Sequence, residues 1–345
     1  MSAVGADGKD RIVRIEKSVA SLSWIPSEAI KGVMKAPFEA GLTHYDEVPP
    51  DVLDDIESLR QGDRFRFINH LTAWVEVADG AIVDAGFGDD SGGIMGSTTV
   101  KVGPAKTVFQ AGQLEDLRNG PDWGAESATF IQTTGGRTGL PAPRRVNHPP
   151  FVQWLAPLVW STLSLTINAD GSTSYRMTGA SKFPRHWVYD TERALAAKAG
   201  MADFKDWYHN AFGKHTPWGD EESPALITAA ETALERQLSK TVMQGGAKPR
   251  TRKVKAGKLL TEQGAEGDEL FLLLDGVLSV EVDGEPLAEV GPGAILGERA
   301  ILEGGARTST LRALTPVKVA VAARAEIDRE ALAELAEGHR REEAR

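Results

Sequence analysis

The chain has 345 residues, 41% of them hydrophobic and 26% charged, a formal net charge of -10, and no cysteine. That length exceeds one ordinary core and suits two domains, while the missing cysteine removes disulfides, thiolate metal sites and thiol nucleophiles together. The acidic balance argues against bulk affinity for nucleic acid, which needs clustered Lys and Arg to release counterions.

The opening stretch, MSAVGADGKDRIVRIEKSV, has no apolar run of signal-peptide length, which predicts a cytoplasmic protein. From Arg11 to Asp190 the chain shows short alternating runs broken by Gly and Pro: RFRFINH, AWVEVADGAIVDAGF, STTVKV, ATFIQTT and STLSLTINADGSTSYRMTG. Alternation between turn residues is the strand signature, and NADGS between two such runs predicts a hairpin. Helices are predicted at Pro26 to Met34, at Asp51 to Leu59, and at Asp190 to Gly200, where Asp190 or Thr191 caps ERALAAKAG. Residues 151–167 are mostly apolar, but Gln153 and Pro157 interrupt them and they fall short of the ~20 residues that span a bilayer, so they read as buried core.

Six of the seven histidines lie in this part: His44, His70, His148, His186, His209 and His215. Their spacing matches neither HExxH nor a zinc pattern, so they read as structural and no metal is expected. The glycine-rich GFGDDSGGIMG, residues 86–96, lacks the Lys-Ser/Thr of a Walker motif and reads as a hairpin loop. Residues 135–145, GGRTGLPAPRR, read as a solvated basic loop, and PRHWVYD, residues 184–190, as aromatic packing beside a helix start. A GxSxG elbow, a kinase motif set and a dinucleotide fingerprint are all absent, so no catalytic residue is assigned.

Next, SPALITAAETALERQLSKTVM, from Ser223 to Met243, opens with a Ser cap followed by Pro and repeats apolar residues at helical spacing, which predicts a connecting helix. QGGAKPRTRK follows and marks the seam between domains. From Val254 to Val321 the runs VKAGKLL, ELFLLLDGVLSVEVDG, PLAEVGPGA, STLRAL and VKVAVA are short and evenly spaced around Gly267-Asp268, Asp275-Gly276 and Asp283-Gly284, as in a small barrel or jelly roll. One stretch breaks the pattern. In GAILGERAILEGGARTSTL a short helical piece follows Gly297 and a Gly-Gly loop leads to Arg307. Arg307 offers a planar fork of donors and Glu298 offers acceptors, so the pair asks for a ligand carrying both a phosphate and a hydroxyl.

At this point the sequence resembles the cyclic-nucleotide-binding domain family, over roughly Arg252 to Asp328. The resemblance rests on AGKLLTEQGAEGDELFLLLDGVLSVEV, Leu296-Gly297-Glu298 and Arg307-Thr308-Ser309-Thr310-Leu311. It implies that Glu298 binds the ribose 2'-hydroxyl, Arg307 the exocyclic phosphate oxygen, and the backbone of Gly297, Thr308 and Ser309 the remaining polar edge. Two positions depart from the pattern: Ala306 stands where many members have proline, and no aromatic residue follows Phe271. A base cap would then come from Leu332 or Leu335 on a terminal helix, or from an aromatic residue elsewhere in the chain or in another subunit. Residues 326–345 suffice for one helix, fewer than a helix-turn-helix requires, so DNA is not expected as a partner.

These observations predict an α+β chain: a strand-rich domain of mixed type over residues 11–220, a connecting helix and linker over 221–247, and a small β-barrel or jelly roll of cyclic-nucleotide-binding type with a terminal helix over 248–345. The function expected is that of a regulatory protein sensing cAMP, with cGMP as the second candidate, whose C-terminal domain controls the N-terminal one. Two alternatives stay open: a nucleotide-gated enzyme or small-molecule carrier in the N-terminal domain, and a scaffold with a degenerate nucleotide site. A protein partner through the N-terminal domain and an oligomer are compatible with this reading; a membrane is not part of it.

Overall fold

The computed structural model describes residues 12–30, 32–41, 43–102, 105–139, 142–145, 152–203, 216–218, 227–229, 250–303, 305–323, 333 and 336. Two compact units emerge, one comprising residues 1–25, 36–195 and 205–225, the other residues 26–35, 196–204 and 226–345. Among the described residues no helix is long and apolar enough to cross a membrane.

The first unit is built on strands. After β1 (Val13–Trp24) come α1 (Ala36–Glu39) and α2 (Ile56–Gln61), then β2 (Phe67–Ala78), β3 (Ala81–Phe87) and β4 (Gly92–Met95). The turn joining β2 to β3 is Asp79-Gly80, with φ of 52° and 79°; two successive positive values make the tight hairpin whose twist matches its strands. β5 (Ser97–Val102) and β6 (Ala105–Gln110) form a ribbon, and the short β7 (Gly112–Gln113), β8 (Leu117–Arg118) and β9 (Asp122–Trp123) each pair with β10 (Ser127–Arg137). β11 (Ala142–Arg145) pairs with β12 (Val152–Leu155), and β13 (Leu158–Asn168) lies between β10 and β14 (Thr173–Ala180). β15 (Arg185–Tyr189) completes the order β15-β1-β2-β3 in the other sheet, where β4 also pairs with β2. The predicted NADGS hairpin joins β13 to β14, with Asp170 accepting from the Ser172 amide at 2.8 Å.

The two sheets meet across a partly polar seam. Asn69 donates to the Ser161 carbonyl at 2.9 Å, Gln132 donates to Asn69 Oδ1 at 2.9 Å, and the Ser21 and Ser161 hydroxyls lie 2.6 Å apart. Each of these side chains is buried and satisfied, so the seam fixes sheet register without leaving a polar group desolvated. An apolar cluster of Ala20, Leu22, Trp24, Leu53, Leu59, Phe65, Ile68, Trp187 and Tyr189 covers the other side of β1.

His186 is fully buried in β15, with Nδ1 2.6 Å from Ser23 Oγ and Nε2 2.7 Å from the Ser181 carbonyl. A carbonyl only accepts, so Nε2 carries the proton and Nδ1 accepts from the Ser23 hydroxyl. Burial is the largest influence and pushes the imidazole from 6.5 down to about 4; the Ser181 bond opposes this and the Arg185 charge adds to it. With the folded value below the unfolded one, the unfolded chain binds the proton first as pH falls. The contribution is therefore complete above pH 6.5 and lost between there and about 4, roughly 3 kcal/mol in all. Urea melts of His186→Gln at pH 7 and pH 4.5 are expected to show a smaller fall in stability than the wild-type protein shows; equal falls would mean that His186 does not set this slope.

Several sequence expectations change. Asp190–Gly200 is not a helix: Asp190 Oδ1 accepts from the Glu192 and Ala194 amides, each at 2.9 Å, Arg193 takes φ 61°, and the chain enters strand β16 (Leu195–Ala199). Within the predicted helix Ser223 to Met243 the described residues form strand β17 (Ile227–Ala229), paired with β16; the remainder lies outside the described residues. Helix propensity there gives way to strand pairing between segments remote in sequence. The helix expected at Asp51 to Leu59 begins at Ile56, where Asp55 caps it through the Ser58 amide at 2.8 Å, because Val52 bridges to Ala194. Over Pro26 to Met34 the chain makes a turn, followed by a 3-10 segment from Gly32 to Lys35 that leads into α1. The basic stretch 135–145 is not a loop, since Gly135, Gly136 and Arg137 belong to β10 and residues 142–145 to β11.

In the second unit, β18 (Arg250–Val254), β19 (Leu259–Thr261), β20 (Glu269–Asp275), β21 (Leu278–Val282), β22 (Glu285–Val290) and β23 (Ile295–Leu296) precede α3 (Glu298–Glu303), which β24 (Thr310–Ala313) and β25 (Val317–Ala323) follow. These strands form two four-stranded sheets, β18-β25-β20-β23 and β19-β24-β21-β22, rather than a single closed barrel. Both contribute to one core: Val254, Phe271, Leu273, Leu296, Val317, Val319 and Val321 from the first, Leu260, Leu278, Leu311 and Ala313 from the second. Closure is unnecessary because two facing sheets bury the alternating apolar residues, leaving β22 as an exposed edge. On the outer face of the first sheet, Leu270, Leu272, Leu274, Ala320 and Ala322 pack with Ile301 of α3. The expected terminal helix, with Leu332 and Leu335, lies outside the described residues apart from Ala333 and Ala336, both helical, of which Ala336 is buried.

Candidate functional site

α3 and the loop after it are positioned by the start of β20. Leu296 pairs with Phe271 and Ile295 with Leu272, which brings Gly297 and Glu298 beside that strand. The loop that carries Arg307 is fastened to the turn at 264–267 by backbone bonds: Gly267 N donates to Gly305 O, Arg307 N to Ala265 O and Gly264 N to Arg307 O, all at 2.8 Å. The replacement of proline by Ala306 is accommodated by these bonds and by a bridge between Ala306 and Glu266.

Arg307 is 6% exposed and Glu298 is 5% exposed. Among the described residues the Arg307 guanidinium has one hydrogen-bond acceptor, the Glu269 carbonyl, 2.9 Å from Nη1, and its Cζ lies 5.1 Å from the centroid of the Phe271 ring. Phe271 belongs to the inter-sheet core, so the guanidinium rests on an apolar floor. Burial pushes the Arg307 guanidinium below its ordinary value; the Glu269, Asp268 and Glu298 carboxylates work against that, and Arg252 reinforces it. A guanidinium in this setting remains charged. Gly297 has φ 94°, and a side chain there would meet Arg307 Nη1 at 2.5 Å.

Thus Gly297 and Arg307 are in contact, and Glu298 is near enough to Arg307 to influence its charge. Thr308 and Ser309 follow as half-buried bends, and Thr310 Oγ1 accepts from the Gln263 amide at 2.9 Å. Sequence reasoning missed the role of the segment 267–271 in building the site. Gly267 lies against Arg307, Glu269 supplies its acceptor and Phe271 its floor. The only signal was the Gly-Asp pair ahead of an apolar strand, which read as a turn. Among the described residues no group of three or more His, Cys, Asp or Glu side chains is placed to hold a metal ion.

Two facing antiparallel sheets thus enclose one core, with a short helix that opens on Glu298 and a buried loop arginine, Arg307, within its electrostatic reach. Residues 251–337 match the family model described as the cyclic nucleotide-binding domain, so the C-terminal third of the chain belongs to that family. The chain is 36% identical over 67 residues to the cGMP-dependent protein kinase egl-4 of Caenorhabditis briggsae, covering 19% of this chain and 9% of the kinase. It is 33% identical over 180 residues to a cyclic nucleotide-gated potassium channel of Mesorhizobium japonicum, covering 51% of this chain and 46% of the channel. The chain thus spans less than half the length of these curated relatives. Among solved structures, a cyclic nucleotide-binding domain from Methylobacillus flagellatus is 31% identical, covering 22% of this chain and 46% of that one, with a TM-score of 0.21.

Proposed function

We propose that the protein is a cyclic-nucleotide-responsive regulator in which residues 248–345 bind cAMP, with cGMP as second ligand, and residues 221–247 pass the bound state to residues 11–220. In this reading Arg307 holds the exocyclic phosphate, Glu298 the ribose 2'-hydroxyl, and the backbone of Gly297, Thr308 and Ser309 the remaining polar edge. The observation that carries it is the buried Arg307 guanidinium, whose acceptor among the described residues is a backbone carbonyl. Among the described residues only Nη1 has an acceptor, and the oxygens of a phosphate suit the remaining Nε and Nη2 donors. The kinase relative is cGMP-dependent, which is why both nucleotides are titrated.

Binding shifts the regulated part only through a difference in affinity between its two states, so the measurable quantity is that difference. Isothermal titration with cAMP, cGMP and 2'-deoxy-cAMP on the wild-type protein and on Glu298→Ala tests the assignment. We expect cAMP to bind Glu298→Ala about tenfold or more weakly, consistent with losing a hydrogen bond to a charged acceptor, and 2'-deoxy-cAMP to bind both proteins equally weakly. Additive losses would place the 2'-hydroxyl elsewhere, and no binding of either nucleotide to the wild-type protein would overturn the reading.

A further inference from the structure

We propose that Gly267 is a positioning residue for the anion site: the missing side chain at 267 keeps the Nε and Nη2 edge of Arg307 open to the ligand. The inference deepens the nucleotide-binding reading and rests on it. A Cβ placed on Gly267 would lie 2.4 Å from Arg307 Nε, 2.5 Å from Nη2 and 2.7 Å from Cζ. The two nitrogens are nearer than the carbon between them, so the added carbon would stand toward the edge that carries both donors. That edge is the one through which a guanidinium grips two oxygens of a phosphate at once. Nη1 is turned the other way, donating to the Glu269 carbonyl at 2.9 Å, with Gly297 against it.

Gly267 differs from Gly297 in one useful respect. Gly297 has φ 94°, a conformation that a side chain strains wherever it points, whereas the Gly267 backbone is outside the left-handed region. The three atoms nearest the Cβ of an alanine at 267 all belong to the tip of Arg307. The far end of a long side chain can swing aside, so a methyl group there displaces the guanidinium rather than the fold.

Gly267→Ala, Arg307→Ala and the double variant separate the possibilities by isothermal titration with cAMP and cGMP and by calorimetric melting without ligand. The expected result is at least a tenfold weaker nucleotide affinity for Gly267→Ala, with a ligand-free melting temperature equal to wild type. In the Arg307→Ala background, Gly267→Ala then leaves the melting temperature unchanged or raised, because the group it displaces is gone and the unfolded chain has lost freedom. Wild-type affinity in Gly267→Ala, with binding lost in Arg307→Ala, overturns this inference and leaves the nucleotide reading standing. Wild-type affinity in Arg307→Ala overturns both. A melting temperature lowered by Gly267→Ala in both backgrounds assigns the glycine to backbone packing and also overturns the inference.

Discussion

Arg307→Ala is expected to weaken cyclic-nucleotide binding by roughly 30-fold to several thousand-fold, the range that corresponds to losing one partner of a buried, hydrogen-bonded charge pair at about 2–5 kcal/mol. The large effect follows from the setting: the guanidinium is 6% exposed, rests above the Phe271 ring and is held by loop bonds that do not involve its side chain. The ligand phosphate would lose the two-donor guanidinium edge proposed to hold it. Ligand-free stability should hardly fall, since the variant also removes a desolvated charge whose acceptor among the described residues is one carbonyl. Arg307→Lys should fall between the two, because a point charge replaces a two-donor edge. Titration of the three proteins with cAMP and cGMP checks this, and equal affinities across the series would remove Arg307 from the site.

Asp46→Ala should destabilise the first unit by roughly 3–5 kcal/mol, the cost of breaking a buried ion pair and leaving one charge behind. Arg66 is 5% exposed; its Nε lies 3.0 Å from Asp46 Oδ2, and its Nη2 makes a shorter contact with Oδ1. Asp46 also accepts from the Ile25 amide at 2.7 Å, so its removal strands a backbone donor as well. Asp63 and the Ser97 carbonyl accept from Nη1 at 3.2 and 2.6 Å, whereas Asp46 is the acceptor for Nε. Against a typical stability of about 5–15 kcal/mol, the loss is large enough to read directly in urea melts at neutral pH. Replacing the pair with Asp46→Leu and Arg66→Met together should recover only part of it, because the apolar pair removes the stranded charge but leaves the Ile25 amide and the Ser97 carbonyl without their partners. A loss below about 1 kcal/mol for Asp46→Ala would put this contact in the class of surface ion pairs.

Much of the strand pattern was legible in the sequence, for local reasons. RFRFINH, ATFIQTT and ELFLLLD alternate or run apolar because each lies in a sheet with a buried face, and Asp79-Gly80 and Asp283-Gly284 announce their turns because both residues must adopt positive φ. The cyclic nucleotide-binding family was legible for the same reason: its motif residues are close in the chain, and Gly297, Glu298 and Arg307 retain their order whatever the rest of the fold does.

Ala-rich ERALAAKAG and SPALITAAETALERQ offered a helical period that the described residues do not follow. Leu195–Ala199 and Ile227–Ala229 are strands because each has the other as a partner, about thirty residues away, and pairing at that distance leaves no mark in local periodicity. Nor could alternation tell a closed barrel from two facing sheets, since both bury the same face of every strand. Arg66 and Asp46, twenty positions apart in the chain with α2 between them, are brought together and buried only by the fold.

The sequence by itself determined several of the turns, most of the strands and the acceptor and donor types offered at Glu298 and Arg307, because these depend on residue type and short spacing. Only the tertiary structure decided which strands pair, that Arg307 is buried over Phe271, and that Gly267 stands before its donor edge. Those facts are distances between residues far apart in the chain, and a distance of that kind exists only once the core has closed.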